Sequence, residues 1–256
     1  MIHVLQLGRI DYATALELQR SLVELRKRGE IGDVLLLLEH TPVITLGRNA
    51  KAEHVLASRE QLAARGVEVF ECDRGGDVTY HGPGQLVGYP IFDLRGLPTP
   101  KGPRKTLGAV EFVRRLEEVL IRTCADFGVG ARRAAGRTGV WTEQTDAKVA
   151  AIGVHISRGV TSHGFALNVS TDLGAFQFIV PCGIADKSVT SLEREVGTAP
   201  AGEAVELAIV RNFGVVFGSQ VLWVESLEAL LGRRTGVPMK PPAELRQMQG
   251  EEETRA

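Results

Sequence analysis

The amino-acid sequence predicts a mixed α/β domain of the α+β type, in which helices surround mixed β-sheets. Along the chain, apolar runs of strand length alternate with segments of helical periodicity, without a regular strand–helix–strand repeat. Several predicted strands follow one another directly, as hairpin partners do, which argues against a Rossmann sheet. Of the 256 residues, 44% are apolar and 24% are charged, a balance that allows a well-buried core.

Short apolar runs bounded by turn residues predict the strands. In chain order they cover residues 2–7, 34–38, 43–46, 67–72, 86–92, 148–156 and 160–169. The last two are joined through Ser157-Arg158-Gly159 and therefore predict a β-hairpin. The run at residues 34–38 is the longest near the N-terminus and is far shorter than a membrane span.

Helical periodicity and capping residues predict the helices. Asp11 can cap a helix that runs to about residue 28, and Ser58 precedes a short helix in a capping-box pattern with Gln61. The clearest helix covers about residues 107–127, and two more lie near 204–217 and 226–231. The apolar positions that recur along the clearest helix are Val113, Leu116, Leu120, Cys124 and Phe127. Because Cys124 belongs to this face, we expect it in the core.

Composition excludes several classes of protein. The formal net charge of −1 gives no overall basicity that would favour nucleic acid as a partner. No metal-ligand spacing joins the histidines to the cysteines, and no phosphate-binding GxxxxGK[ST] loop is present, so neither a metal nor a cofactor is predicted. Three widely spaced cysteines and the absence of a signal-peptide pattern indicate reduced thiols in a cytoplasmic protein. The sequence predicts one domain over residues 1–237 and a flexible tail over 238–256, which is rich in Pro, Gln and Glu.

Cys182 is the candidate nucleophile. It follows the apolar residues 178–180 and lies between Pro181 and Gly183. Pro181 fixes its own φ and Gly183 permits backbone angles closed to other residues, so the thiol lies where a buried segment ends and turns. A thiol there can meet a substrate if a neighbour lowers its pKa. The alternative is that Cys182 is a small buried apolar residue, as most free cysteines are.

A second dense feature is the run RGGDVTYHGPGQ at residues 74–85. Its glycines let the backbone approach a ligand closely, and the Arg, Thr, Tyr, His and Gln side chains between them supply hydrogen bonds. A long loop of this chemistry inside a compact domain is typically functional. The alternative is a simple turn between two strands, with His81 hydrogen-bonded in the core.

Lys148 opens the apolar run KVAAIGVHIS. A lysine at the end of an apolar strand usually extends to solvent. If it faced Cys182 instead, its ammonium would favour the thiolate, because opposite charges stabilise each other in a partly desolvated pocket. The separation of Lys148 and Cys182 along the chain neither establishes nor forbids that contact.

Three motifs occur in the order RGGDVTYHGPGQLVGYP, AKVAAIGVHISRGVTSHGFALNV and VPCGIADKSVTSLERE. Together they resemble the lipoyl(octanoyl) transferase family, and with flanking parts such as GRNA the resemblance covers roughly residues 1–215. It implies the catalytic-domain fold of the biotin/lipoate protein ligases and a monomeric acyltransferase without a cofactor. Such an enzyme transfers an octanoyl group from octanoyl-acyl carrier protein to the ε-amine of a specific lysine, in protein lipoylation. The implied acceptors are lipoyl domains of 2-oxoacid dehydrogenase complexes and the glycine cleavage H protein, with no nucleic acid or membrane partner.

The resemblance also implies roles for individual residues. Cys182 would carry the octanoyl group as a thioester, and Lys148 would lower the pKa of that thiol and handle protons. The residues that would shape the substrate pocket are Arg74, Gly75, Gly76, Asp77, Val78, Thr79, Tyr80 and His81. Those that would line the acyl chain are Ala151, Ile152, Gly153, Gly164, Phe165 and Ala166. The small residues among them would leave a channel whose closed end measures chain length.

Three other functions stay open. An ATP-dependent lipoate or biotin ligase of the same fold would adenylate its acid substrate and would need no cysteine nucleophile. A non-catalytic acyl-binding module would use Cys182 and Lys148 as structural residues, and a Cys–His hydrolase would use His81. Because both expected partner proteins are acidic, a positively charged docking rim is also expected. Its candidates are Arg48, Arg74, Arg137 and Arg158.

Overall fold

The computed structural model describes residues 1–99, 106–180 and 188–231, and within them the strands form two sheets. The strands are β1 (Ile2–Ile10), β2 (Asp33–His40), β3 (Val43–Leu46), β4 (Glu68–Glu71), β5 (Val78–His81), β6 (Gln85–Ile91), β7 (Ala131–Ala134), β8 (Arg137–Thr142), β9 (Lys148–Ser157), β10 (Val160–Asn168) and β11 (Val221–Trp223). The helices are α1 (Tyr12–Lys27), α2 (Arg59–Ala63), α3 (Ala109–Asp126), α4 (Leu192–Val196), α5 (Gly202–Phe217) and α6 (Leu227–Leu231), with 3₁₀ turns at Ala52–His54 and Leu173–Phe178. This arrangement confirms the predicted fold class.

The larger sheet has the strand order β11-β1-β2-β6-β10-β9-β8-β7, and the smaller one has the order β4-β3-β5. β1 runs parallel to β2 and to β11, whereas β2, β6, β10 and β9 pair antiparallel. The predicted hairpin of β9 and β10 is confirmed, because Ser157 pairs with Val160. Arg158 and Gly159 between them both have positive φ, which matches the right-handed twist of the two strands.

Helices cover both faces of the larger sheet. On one face α1 packs its predicted apolar side, and Leu22 and Leu36 belong to the same core cluster there. On the opposite face α3 and α5 cover the sheet, and the Phe92 ring packs edge to face against Phe112 at 6.1 Å between centroids. Cys124 is fully buried in this second core, as predicted. Each fully buried Leu or Phe side chain contributes about 1.5–3 kcal/mol.

The predicted helix caps are present. The Asp11 side chain accepts a hydrogen bond from the Thr14 N–H at 2.8 Å. Ser58 and Gln61 form both hydrogen bonds of a capping box. These local bonds satisfy backbone N–H groups that a helix leaves unpaired in its first turn, so capping residues can be recognised from sequence alone.

The structure differs from the prediction in several elements. β5 lies inside the run 74–85, which was expected to be one long loop, and β7, β8, α4 and β11 were not expected. In the apolar stretch 178–180, Phe178 ends a 3₁₀ turn and Ile179 forms an isolated bridge with Val55. No helix in the described ranges is long and apolar enough to cross a membrane. The tail 238–256 lies outside the described residues, so its flexibility and the domain boundary at 237 stay predictions.

Candidate active site

A cavity lies between the β9–β10 hairpin and the loop that precedes β5, and we call it the hairpin cavity. All the predicted substrate-binding residues except Val78 and Tyr80 line it. Tyr12, Tyr89 and His163 line it as well. Two motifs that are far apart in sequence therefore meet around one space.

Val78 and Tyr80 belong to the core of the smaller sheet. Both pack in a cluster with Ile44 and Phe176, and the rings of Tyr80 and Phe176 meet edge to face at 5.6 Å. Successive side chains of a strand point to opposite faces, so in β5 only Thr79 and His81 reach the hairpin cavity. The motif is continuous in sequence but alternates in space. Val78 and Tyr80, which were expected to shape the substrate pocket, therefore do not line the hairpin cavity.

Arg74 fixes the glycine-rich loop against β3. Its Nη2 donates to the Thr45 carbonyl at 2.6 Å and to Thr45 Oγ1 at 2.9 Å, and its Nε donates to the same hydroxyl at 3.1 Å. Its Nη1 donates to the Gly75 carbonyl at 3.2 Å. Because the side chain is buried and its donors are directed inward, Arg74 is a wall of the cavity. It cannot belong to the expected docking rim, whose candidates Arg48 and Arg158 are exposed.

Gly153 and Gly164 bring backbone segments together. A Cβ at Gly153 would lie 2.5 Å from the Gly75 carbonyl oxygen, and the Gly75 N–H donates to the Val154 carbonyl at 3.1 Å. A Cβ at Gly164 would collide with the carbonyl oxygen of Gly88. The small size of these two glycines was expected to leave room for an acyl channel. Neighbouring backbone fills that room instead. These glycines line the hairpin cavity because they let the loop rest directly on the hairpin.

His81 is both hydrogen-bonded in the core and a lining residue of the cavity. Its Nδ1–H donates to Gln85 Oε1 at 2.7 Å, and Thr45 Oγ1 lies 3.4 Å from its Nε2. Gln85 Nε2 donates in turn to Asn168 Oδ1 at 2.9 Å. Burial, followed by the nearby His40, holds the pKa of His81 well below its ordinary value. The ring is therefore neutral at pH 7.

A cluster of rings around His81 has no local sequence signal. It consists of Tyr12, His40, Tyr89 and His163, which lie on four different elements. The Tyr89 hydroxyl lies 2.7 Å from His40 Nε2, and Tyr12 stacks on His81 at 6.4 Å between centroids. Burial raises the pKa of both tyrosines and lowers the pKa of His40 to about 4. The only pointer to His163 in the sequence is its place in the SHGFALNV stretch of a motif.

Lys148 lines a smaller cavity that shares Thr79, Ala151 and Ala166 with the hairpin cavity. Its side chain is buried, so the alternative that it extends to solvent does not hold. Its Nζ lies 5.0 Å from the centre of the Trp141 ring, within the range of a cation–π contact. The Lys148 amine therefore lies beside a small cavity that shares part of its lining with the hairpin cavity.

Cys182 lies outside the described residues, as do Pro181 and Gly183, so its distance from Lys148 stays a prediction. The chain is described on both sides of it. Before it, the Val180 N–H donates to the His54 carbonyl at 2.8 Å. After it, the Ser188 carbonyl accepts a hydrogen bond from the Lys148 N–H at 2.9 Å. The chain that follows the PCGI motif therefore pairs directly with Lys148.

Of the two described cysteines, neither lines the hairpin cavity. Burial raises the pKa of the Cys124 thiol to about 12, which leaves almost no thiolate at pH 7. The partly buried Cys72 thiol donates to the Leu46 carbonyl at a sulfur–oxygen distance of 3.4 Å. Cys124 thus has the structural role expected of it.

The architecture is that of the lipoate ligase class of fold. The structure of a bipartite lipoate protein ligase and its E2 lipoyl domain from Thermoplasma acidophilum matches with a TM-score of 0.63, over 92% of this chain and 98% of that chain. The sequence identity is 15%, so this likeness shows the fold alone. The fold that the resemblance implied is thereby confirmed.

Residues 11–214 match the lipoyl protein ligase A/B catalytic domain, and the chain belongs to this family. The sequence is 61% identical over 249 residues to an octanoyltransferase of Koribacter versatilis, which covers 97% of each chain. It is 64% identical over 237 residues to an octanoyltransferase of Acidobacterium capsulatum, which covers 90% of this chain and 96% of that one. The class of enzyme that these relatives define is an acyltransferase.

Proposed function

We propose that this protein transfers an octanoyl group from octanoyl-acyl carrier protein to the ε-amine of a lysine on a lipoyl domain. The observation that carries the proposal is the hairpin cavity, where the glycine-rich loop and the β9–β10 hairpin enclose one space beside Lys148. The relatives named octanoyltransferase support the choice of acyl group. The acceptors are lipoyl domains of 2-oxoacid dehydrogenase complexes and the glycine cleavage H protein. The enzyme acts as a cytoplasmic monomer.

In the first step the thiolate of Cys182 attacks the carbonyl carbon of the donor thioester. A new carbon–sulfur bond forms, the bond to the donor sulfur breaks, and the donor thiol leaves after taking up a proton. One thioester replaces another, so the step needs no ATP. The Lys148 ammonium stabilises the thiolate before attack, because a nearby cation lowers the pKa of a thiol.

In the second step the acceptor amine attacks the Cys182 thioester. A carbon–nitrogen bond forms, the carbon–sulfur bond breaks, and the amine proton restores the free thiol. We assign the proton transfer to Lys148 and not to His81, because burial lowers the pKa of His81 and its two ring nitrogens face Gln85 and Thr45. The hairpin cavity meanwhile holds the alkyl chain, and each buried methylene contributes about 0.8 kcal/mol.

The chain on both sides of Cys182 supports its proximity to Lys148. Val189 forms a parallel bridge with Lys148, and it packs against the same hydrophobic cluster that contains Ile179. Val189 also lines the Lys148 cavity, as does Phe176 of that same cluster. The described residues on either side of the PCGI segment are therefore linked through one cluster that reaches the Lys148 cavity.

The covalent intermediate is the decisive test. We expect incubation with octanoyl-acyl carrier protein, without acceptor, to add one octanoyl group to the intact protein, as measured by mass spectrometry. Addition of a lipoyl domain without ATP should then move the group to the acceptor lysine as an amide. Cys182→Ala should abolish the adduct.

Cys124→Ala is the matched control, because that thiol is buried in the core with a raised pKa, and its adduct should remain. A strict requirement for ATP would favour the ligase of the same fold. An octanoyl group mapped to Cys72 would identify a different nucleophile. The absence of any adduct or transfer would leave an acyl-binding module.

A further inference from the structure

A second cavity lies between α1 and the tip of the β9–β10 hairpin, and we call it the tip cavity. Its lining includes Leu16, Gln19, Val23, Asp73 and His155. Of the described residues, His163 alone lines both the tip cavity and the hairpin cavity. Its side chain is therefore the partition between the two spaces.

His163 is fixed by groups from three elements. Its ring Nε2 lies 2.8 Å from Asp73 Oδ1, and its backbone N–H donates to Gln19 Oε1 at 2.8 Å. The ring also meets Tyr89 edge to face at 6.4 Å between centroids. Its φ of 55° lies in the left-handed region, which is uncommon for a residue other than glycine inside a strand. Such a constrained backbone persists only where its surroundings hold it, and it frequently marks a functional position.

The position of this partition along the hairpin suits an eight-carbon chain. His163 pairs with Val154, six residues along β9 from Lys148, which corresponds to about 20 Å at about 3.3 Å per residue. Seven carbon–carbon bonds of about 1.5 Å give an octanoyl chain a length of at most about 11 Å. The Lys148 side chain and the thioester linkage to the enzyme would occupy the remaining span. An octanoyl chain that starts on the Lys148 side of the cavity would therefore direct its methyl end toward the His163 ring.

We propose that His163 is the residue that sets acyl chain length, by stopping the methyl end of an octanoyl chain, and that Asp73 is its positioning residue. This inference rests on the proposed function of the same cavity. Longer chains meet the ring, and the tip cavity behind it is the space into which they would extend if the ring were absent. Each additional methylene that becomes buried favours binding by about fourfold.

The test is His163→Gly, assayed with octanoyl-, decanoyl- and dodecanoyl-acyl carrier protein and a lipoyl domain. Glycine accepts a φ of 55° without strain. The loss of the ring removes the hydrogen bond to Asp73, while His163 Nδ1 has no hydrogen-bond partner among the described residues. We expect the ratio of kcat/KM for decanoyl over octanoyl donor to rise about fifteenfold, the effect of two methylenes. Asp73→Ala should shift the same ratio less, because the ring stays but loses its orientation.

His155→Ala is the matched control. His155 lines the tip cavity and lies 3.6 Å from Asp73 Oδ2, but it is not part of the hairpin cavity lining. Its chain-length ratio should equal that of the wild type. If His163→Gly does not fold, His163→Asn offers a shorter side chain that also tolerates positive φ, and it should shift the ratio in the same direction.

The outcomes separate this inference from the proposed function. Octanoyl transfer with an unchanged chain-length ratio in folded His163 variants would overturn the role of His163 and leave the transferase intact. A wild-type protein that transfers no acyl group from any donor would overturn the proposed function itself. An equal shift in His155→Ala would show that the tip cavity as a whole, and not the His163 partition, controls the ratio.

Discussion

The two ends of the hairpin cavity are built in different ways. At one end, hydrogen bonds that His163 donates to Asp73 and Gln19 hold it between the loop and α1. At the other end, the Lys148 backbone pairs with Ser188 and Thr190, so this wall includes the chain that leads away from the predicted nucleophile. In our proposals the first end is a fixed stop, whereas the second carries the reactive groups. Substrate length and reaction chemistry are therefore assigned to separate parts of one cavity.

The contact between the glycine-rich loop and the β9–β10 hairpin supports both ends of the hairpin cavity. Gly153→Ala should disrupt this contact. The new Cβ would lie 2.5 Å from the Gly75 carbonyl oxygen, so the loop must move away. We expect the free energy of unfolding to fall by about 1–3 kcal/mol, the usual cost of overpacking. Octanoyl transfer should fall with it, because the loop shapes the cavity wall. Urea denaturation and initial rates measure the two effects.

Gly202→Ala provides the control for Gly153→Ala. No atom lies within 4 Å of a Cβ at Gly202, which is the first residue of α5. Alanine is favoured over glycine in a helix by up to about 1 kcal/mol, so this variant should be at least as stable as the wild type. Equal losses of stability in the two variants would mean that the contact of Gly153 with the loop has no special importance.

His40 in the ring cluster predicts a smaller effect on stability, and this effect depends on pH. Burial lowers the pKa of His40 from 6.5 to about 4, so the unfolded chain takes up a proton at a higher pH than the folded chain. Stability is therefore fully present above about pH 6.5 and falls as the pH drops toward 4, by up to about 1.4 kcal/mol per pH unit. Between pH 7 and 5.5 the wild type should lose about 1 kcal/mol more than His40→Gln.

The same denaturation series at each pH checks this prediction. Only the difference in pH dependence counts, because the substitution also removes the hydrogen bond from His40 Nδ1 to the Ile10 carbonyl. Parallel losses in His40→Gln and the wild type would contradict the assignment of His40 as a buried neutral group.

Features that depend on neighbouring residues can be predicted from this sequence. Asp11 and Ser58 cap their helices through bonds to residues three positions away. The hairpin follows from two apolar strands around Arg158-Gly159. β5 could not be predicted, because its four residues form no clear apolar run and its pairing partner β3 lies far away in sequence.

The candidate site shows the same limit. The motifs identify most of the hairpin cavity lining, but a motif cannot show that Val78 and Tyr80 turn away from it. Tyr12, Tyr89 and His163 lie on α1, β6 and β10 and meet only in the folded chain. Their packing is set by tertiary contacts between distant segments, which no local pattern encodes.

Measuring the pKa of the Cys182 thiol is the most direct test that the two ends of the hairpin cavity have different roles. It can be obtained from the pH dependence of alkylation by iodoacetamide, with the label mapped to Cys182, in the wild type, Lys148→Ala and His163→Gly. With the Lys148 ammonium near the sulfur, the thiol pKa should lie below its ordinary value of about 8.5 in the wild type and rise by about one unit or more in Lys148→Ala. It should stay at the wild-type value in His163→Gly. An ordinary pKa in the wild type, or equal shifts in the two variants, would contradict the division of roles between the ends of the cavity.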